Sequence, residues 1–216
     1  MQPEIVVRGT GEARTLPDLA VLQIDASADH ATPDGAQRRR AEIAAGVDAV
    51  LAAHDDAIAR TLPASVGVQP RTRWNKGEAV RTGWRAARTT LVEVTGFDAI
   101  GPIMAGVAEA GAAVNGPRWT LAPDNPAHGT AREAAAGDPR RRAESYARAL
   151  DLTLGPVAWV AEPGLRLPGG DGFAGGGPAV APMAAAPAGA AGEQVEEVTP
   201  AELTVTAAVE VGFAIL

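Results

Sequence analysis

The sequence of 216 residues contains no cysteine. This absence excludes disulfide bonds, thiolate nucleophiles and zinc sites with thiolate ligands. Aromatic residues make up 4% of the chain and hydrophobic residues 46%. A core would therefore be built mainly from alanine, valine, leucine and isoleucine. The length suits one large domain or two small ones, and we expect a single domain over residues 1–216.

Lysine is also scarce: Lys76 is the only one, and the other basic residues are arginine. The net charge of -7 argues against non-specific binding to nucleic acid, because phosphates attract basic surfaces. No apolar run approaches the roughly 20 residues that a membrane span requires. Residues 1–4 lead directly into the first predicted strand, without the basic and apolar regions of a secretory signal. We therefore expect a soluble, cytoplasmic protein with no membrane span and no nucleic-acid partner.

The N-terminal stretch of residues 5–12 predicts a strand that is broken by a turn or bulge at Gly9-Thr10-Gly11. Two glycines at this spacing resemble half of a dinucleotide-binding fingerprint. No third glycine follows at the required offset, and a strand rather than a helix comes next, so a turn is the preferred interpretation. That second strand is predicted over Leu19–Ala28. Its alternating apolar residues share one face: Ala20, Leu22, Ile24, Ala26 and Ala28.

Two helices are predicted in the first half of the chain. Thr32 as N-cap and a proline at the first helical position predict a helix over Pro33–His54. A second helix is predicted to begin near Phe97, with Asp98 as its N-cap, and to end at Gly111.

The third predicted helix is interrupted. Helical segments over Thr130–Ala136 and Arg140–Leu150 flank Pro139, and a proline in a helix interior costs about 3 kcal/mol. We expect a kink there, or a restart with Asp138 as N-cap.

A hairpin is predicted from two β-rich runs, Val66–Trp74 and Trp84–Val94, which are joined by a polar turn around residues 75–78. Trp74 and Trp84 flank this turn and would pair across it. With neighbouring arginines they form a candidate interaction surface for a ligand or partner, although cross-strand packing in an exposed hairpin remains the plainer interpretation. The surface consists of Trp74, Trp84, Arg73 and Arg85.

Further strands are predicted near residues 116–122, 152–161 and 203–215. The last has the clearest alternation of apolar residues, which predicts a long strand with one buried face that is central to its sheet. Between the last two, residues 163–198 are rich in glycine, proline and alanine. Such a composition cannot bury enough apolar surface to offset its ordering entropy, so we expect a mobile loop.

No constellation of catalytic residues is visible. The three histidines are isolated and lie near predicted helix ends or loops, where a solvated or capping role is the default: His30, His54 and His128. The pair Asp55-Asp56 would need more oxygen ligands to hold a metal. Asp18 suits a turn that leads into the second strand. We assign no catalytic, cofactor-binding or metal-binding residue.

Several segments stand out when they are taken in order: Val7–Gly11, Pro17–Ala20, the helix Ala131–Leu150 leading to Leu152–Gly155, the low-complexity loop, and the final strand entered through Pro200. Together they resemble the SIMPL domain, a bacterial and animal family of unknown function. Their order and spacing are specific, whereas no single motif is. Pro139 and Ala201 depart from the alanine and glycine that the family often has there.

The resemblance implies an α+β fold, with two to three helices packed on antiparallel sheet. It also implies a homo-oligomer, because a periplasmic immunogenic member forms ring-like or channel-like assemblies. Members are linked to oxidative-stress tolerance, the animal namesake is linked to kinase-associated signalling, and many bacterial relatives are exported. The family has no established catalytic residues to transfer to this chain.

Three functions remain open at this point. The first is a non-enzymatic, self-assembling structural or interaction protein. The second is a module that binds a small molecule or peptide at the Trp74/Trp84 hairpin. The third is an enzyme, which would require a cleft with convergent polar groups and shifted pKa values.

Overall fold

The computed structural model of the protein describes residues 3–75, 77–166 and 200–216. These residues form antiparallel sheets with seven strands in all, together with three α-helices, which confirms the predicted α+β class. They divide into two compact units, and the single domain expected over residues 1–216 stays a prediction. Most of the loop predicted at residues 163–198, from residue 167 onward, lies outside the described residues.

One unit spans residues 16–123 with 200–203. Its elements in chain order are β2 (Leu19–His30), α1 (Pro33–Ala52), β3 (Ile58–Asn75), β4 (Glu78–Val94), α2 (Ile100–Glu109) and β5 (Ala113–Thr120). The four strands form one sheet in the order β3-β4-β2-β5. Short 3-10 helices precede β3 and α2. The core lies where α1 and α2 cover the sheet, and its fully buried side chains include Leu22, Ile24, Val92, Ile103 and Val107.

The predicted start of α1 and the predicted end of α2 are confirmed, whereas the predicted cap at the start of α2 is not. Thr32 caps α1 as predicted, since its hydroxyl oxygen accepts a hydrogen bond from the Gly35 N–H at 3.2 Å. The predicted N-cap role of Asp98 is wrong. Asp98 lies in the 3-10 helix Phe97–Ala99, whose backbone bonds lead into α2, and no side chain caps that helix. Gly111 follows α2 with a φ of 85°, as predicted for a glycine at a helix C-terminus.

The other unit spans residues 3–15, 124–166 and 204–216. It contains β1 (Glu4–Thr15), α3 (Pro126–Ala149), β6 (Leu154–Ala161) and β7, which is Leu203–Ile215. β7 lies between β1 and β6, so the predicted central position of the last strand is confirmed. The core between this sheet and α3 contains Ile5, Val7, Ala143, Ala147, Val211 and Phe213.

The predicted turn at the N-terminal glycines is wrong, because β1 runs through them without interruption. Glycine occupies these two positions because α3 packs directly on β1. A Cβ added at Gly9 would lie 2.3 Å from the carbonyl oxygen of Ala135 and 2.5 Å from the Pro139 ring. A Cβ at Gly11 would lie 2.3 Å from the Ala131 oxygen and from the Ala135 nitrogen. Glycine is therefore required for close approach of strand and helix backbones.

The predicted restart of the third helix at Pro139 is also wrong, since α3 is one continuous helix of 24 residues. Pro139 is fully buried against β1, and this packing keeps the helix whole despite one missing N–H donor. Asp138 accepts hydrogen bonds from the Thr10 N–H (3.3 Å), Arg141 (3.1 Å) and Arg142 (2.5 Å). Desolvation raises the pKa of Asp138, but these bonds and the two arginine charges outweigh it and leave the pKa below its usual value.

The remaining strand boundaries shift modestly, except in the hairpin. β5 begins three residues before the predicted start, and β6 begins two residues after it. The hairpin strands β3 and β4 are much longer than predicted, with 18 and 17 residues.

Within the described residues, no helix has the length and apolar character needed to cross a membrane.

Candidate interaction surface

The hairpin extends beyond the sheet. β2 pairs with β4 only as far as Trp84, which lies opposite the last residue of β2. Residues 71–75 and 77–83 continue past this point as a two-stranded ribbon, called the arm below. The side chains of Trp74 and Val80 on the arm are exposed, with 75% of Trp74 accessible. The arm therefore projects apolar side chains into solvent.

A bulge marks the base of the arm. Arg71 lies opposite Gly83, and the next paired position of β4 is two residues earlier, so that Thr82 is an extra residue. The Thr82 hydroxyl donates a hydrogen bond to the Arg71 carbonyl oxygen at 3.3 Å. Gly83 has a φ of 154°, and a Cβ there would lie 2.8 Å from the carbonyl oxygen of His30. The bulge thus requires glycine where β2 ends.

An arginine–aspartate cluster lies beside the bulge. Arg85 donates two hydrogen bonds to Asp29, at 2.8 Å and 3.1 Å, and Arg71 donates a third at 2.5 Å. The hydrogen bond from Arg85, with the charges of both arginines, outweighs desolvation and holds the pKa of Asp29 below its ordinary value. The cluster ties β2, β3 and β4 together where the arm begins.

We expect Asp29→Asn to lower the melting temperature at pH 7 and to have less effect at lower pH. Because the pKa of Asp29 is depressed in the folded protein, its ionised form adds stability above the unfolded pKa of about 3.9. That contribution is lost as the pH falls through the folded pKa. Thermal melts of both proteins between pH 7 and pH 2.5 measure the difference. A difference in melting temperature that stays constant across this pH range would contradict a stabilising role of ionised Asp29.

The predicted pairing of the two tryptophans across the hairpin is wrong. Trp74 lies opposite Ala79, and Trp84 lies opposite Pro70. Alternation along β3 nevertheless puts both tryptophans on one face, with Arg81 between them. The Arg81 guanidinium lies 5.5 Å from the centre of the Trp84 ring, within range of a cation–π interaction.

The two arginines of the candidate surface belong to the opposite face. Arg73 neighbours Trp74 in β3, and Arg85 neighbours Trp84 in β4, so alternation turns each arginine away from its tryptophan. The role of these four residues as an interaction surface stays a prediction. Sequence reasoning missed Asp29, whose position at the end of β2 opposite Arg85 follows from the strand register alone.

The histidines occupy separate positions. The Nδ1 atom of His30 accepts a hydrogen bond from the Thr32 N–H at 3.1 Å, so this side chain contributes to the start of α1. His54 precedes the first 3-10 helix, and His128 lies in α3. In the described parts of the chain, no three histidine or acidic side chains are grouped closely enough to hold a metal ion.

Asp18 was predicted to stabilise a local turn, but it makes a contact with a distant part of the chain. Its carboxylate accepts a hydrogen bond from the Ala122 N–H at 2.6 Å. This bond joins the start of β2 to the segment that follows β5. Asp18 therefore helps to hold the edge of the four-stranded sheet.

The chain that forms these antiparallel sheets and three helices matches the sequence model of a defined family over residues 5–213. The chain belongs to the SIMPL family, described as a protein of unknown function (DUF541).

Curated relatives are similar over a shorter range. The chain is 26% identical over 156 residues to a protein named "Uncharacterized protein YggE" from Escherichia coli strain K12. The match covers 72% of this chain and 63% of that relative. Proteins of the same name from Escherichia coli O157:H7 and Shigella flexneri match equally. The chain thus matches less than two thirds of the length of these relatives.

Proposed function

We propose that this protein is a non-enzymatic, self-assembling structural or interaction protein, and that its arm forms contacts between copies. The observation that carries the proposal is the projection of β3 and β4 beyond β2, with exposed Trp74 and Val80 on opposite faces of the ribbon. A two-stranded ribbon is marginally stable by itself in water. Contact with another surface would stabilise it and bury its apolar side chains.

Charge favours an asymmetric contact between copies. Residues 71–83 contain four basic residues and one acidic residue, whereas the whole chain has a net charge of -7. Two arms would repel each other, because like charges placed together disfavour association. An arm is instead complementary to the acidic remainder of a second copy. Such a head-to-tail contact produces closed rings or open filaments, depending on the rotation between subunits.

Trp74→Glu is expected to weaken self-association without unfolding the subunit. It places a charge at the centre of the proposed contact, while Trp74 contributes little to the core of its own subunit. Trp84 is half-buried, so its replacement would also disturb the sheet. Light scattering coupled to size-exclusion chromatography at high micromolar concentration measures the effect.

Tyr146→Glu is the matched control, since Tyr146 is an exposed aromatic residue on α3, with 59% of its surface accessible. It should leave the assembly intact. A wild-type protein that remains a monomer of 21.9 kDa at every concentration and salt would overturn the proposal.

The proposal also includes a role in oxidative-stress tolerance, which is supported by the family resemblance. Cells that lack this protein are then expected to be more sensitive to hydrogen peroxide than cells that contain it. If the wild-type protein restored peroxide tolerance to these cells and Trp74→Glu did not, tolerance would be connected with assembly.

A second candidate function is a binding module on the tryptophan face of the arm. The alignment of Trp74, Arg81 and Trp84 favours it, because aromatic rings beside a guanidinium group can stack planar or anionic ligands. Quenching of tryptophan fluorescence by such a ligand, lost in Arg81→Gln, would support this function over self-assembly.

A further inference from the structure

The free edge of the four-stranded sheet contains a short segment suited to pairing with another strand. Among the described strands, β3 has β4 as its single neighbour. Register shifts interrupt β3 between Pro63 and Ser65 and again after Arg71. Pro63 and Pro70 lack the N–H group needed to donate to an added strand, as expected of residues that protect a sheet edge. Ser65–Gln69 lies between them with an unbroken register and no proline.

A cavity of about 240 Å³ opens beside this segment. It is lined by Ser65, Val66, Gly67, Val68, Gln69, Arg85 and Ala87. Gly67 lies opposite Ala87, so two small residues form its floor. A Cβ added at Gly67 would meet no atom within 4 Å. The cavity therefore has room for one side chain of an added strand.

The rim of the cavity is polar, and Arg85 is the charged side chain among its lining residues. Ser65 and Gln69 provide a hydroxyl and an amide on either side of Gly67, and Arg85 lies opposite Gln69. The side chain of Arg85 is 46% exposed, and its hydrogen bonds to Asp29 use Nε and Nη2, which leaves Nη1 for a ligand. A carboxylate is the side-chain group that all of these donors can accommodate.

We infer that Ser65–Gln69 binds an extended acidic segment of a partner protein as an added β-strand, with one acidic side chain over Gly67 and near Arg85. Backbone hydrogen bonds along an exposed edge would supply affinity, and the cavity would supply the preference for an acidic residue. Val66 is 66% exposed on the opposite face, where an apolar residue of the added strand would cover it. The inference does not depend on self-assembly through the arm.

The test uses a fluorescein-labelled peptide of eight alternating valine and glutamate residues as probe. Its anisotropy is followed as full-length protein is added, and saturable binding is expected. The same peptide with lysine in place of glutamate should not bind, because it would bring positive charge to Arg85. Equal binding of both peptides would overturn the inference, as would no binding of either.

Two variants locate the binding site. A Cβ at position 67 meets no atom within 4 Å, so Gly67→Val should place a branched side chain in the cavity and weaken binding of the glutamate peptide by about tenfold or more, equivalent to about 1.4 kcal/mol. Arg85→Gln should reduce the preference for glutamate over a valine–threonine peptide. Thermal melts check that both variants remain folded. Unchanged affinity in both would overturn the inference.

Trp74→Glu separates this site from the contact proposed for self-assembly. It should bind the glutamate peptide as tightly as the wild type does, even where it no longer assembles. If Trp74→Glu abolished peptide binding, the peptide would be bound at the arm, and the inference would be wrong. Binding of the peptide by Trp74→Glu alone would show that a second copy occupies the edge in the wild type, which also overturns it.

Discussion

Ending the chain after Pro200 is expected to abolish the cooperative unfolding of the unit formed by β1, α3, β6 and β7. The deletion removes β7, the strand that separates β1 from β6, so both would lose their sheet neighbour. It also removes Val211 and Phe213 from the core, where Phe213 is only 2% exposed. Loss of a single buried phenylalanine costs about 3 to 5 kcal/mol, which is comparable with the whole stability of a small domain.

Trp159 provides a local signal for this experiment. Its ring lies over Gly212 in β7, where an added Cβ would be 2.1 Å from the indole nitrogen. Its Nε1–H also donates a hydrogen bond to Glu4 at 2.8 Å. Hydrogen exchange in α3 and tryptophan fluorescence should therefore both report loss of structure in the truncated chain.

Removal of Leu216 alone is the control, because this residue follows β7 and is 79% exposed. It should leave the melting curve nearly unchanged. A chain truncated after Pro200 that kept protected amides in α3 would contradict the central role of β7.

Gly11→Ala is expected to destabilise the same unit by about 3 kcal/mol, near the upper end for an overpacked core position. The new Cβ would lie 2.3 Å from the Ala131 oxygen and the Ala135 nitrogen. Both are backbone atoms of α3, so no side chain can rotate away to relieve the clash. The helix would have to move off β1, which would open the alanine-lined core. Urea denaturation measures the change in the free energy of unfolding.

Gly137→Ala in α3 is the matched control. A Cβ there meets no atom within 4 Å, and alanine is favoured over glycine in a helix. This change should raise stability by about 0.4 to 1 kcal/mol. If Gly11→Ala were as harmless as Gly137→Ala, then close packing of strand and helix would not be the reason for glycine in β1.

Features that depend on short-range patterns were predictable from the sequence. Apolar alternation identified β2 and β7, because neighbouring side chains in a strand face opposite sides. The Thr32 cap of α1 was predicted because capping is completed within a few residues. The order of several individually weak motifs was sufficient to predict the family.

The geometry of the candidate surface was predicted only in part, because it depends on a contact outside the hairpin. Trp74 and Trp84 were correctly assigned to a hairpin, but they are not partners, because the turn joins Asn75 to Glu78 and is not centred between the two tryptophans. The extra residue Thr82 then shifts the register by one residue, so that Trp84 lies opposite Pro70 and on the same face as Trp74. A bulge is stabilised by the end of β2 packing against Gly83, and no pattern within the hairpin reveals that contact.

The sequence by itself determined the α+β class, the two alternating strands and the membership of the SIMPL family, since each rests on local periodicity or on the order of motifs. Tertiary structure decided why Gly9 and Gly11 are glycines and why α3 passes through Pro139 unbroken. In both cases the cause is contact between β1 and α3, segments more than 100 residues apart in the chain. Local propensity predicted a turn and a break at these positions, and packing of the helix on the strand outweighed it.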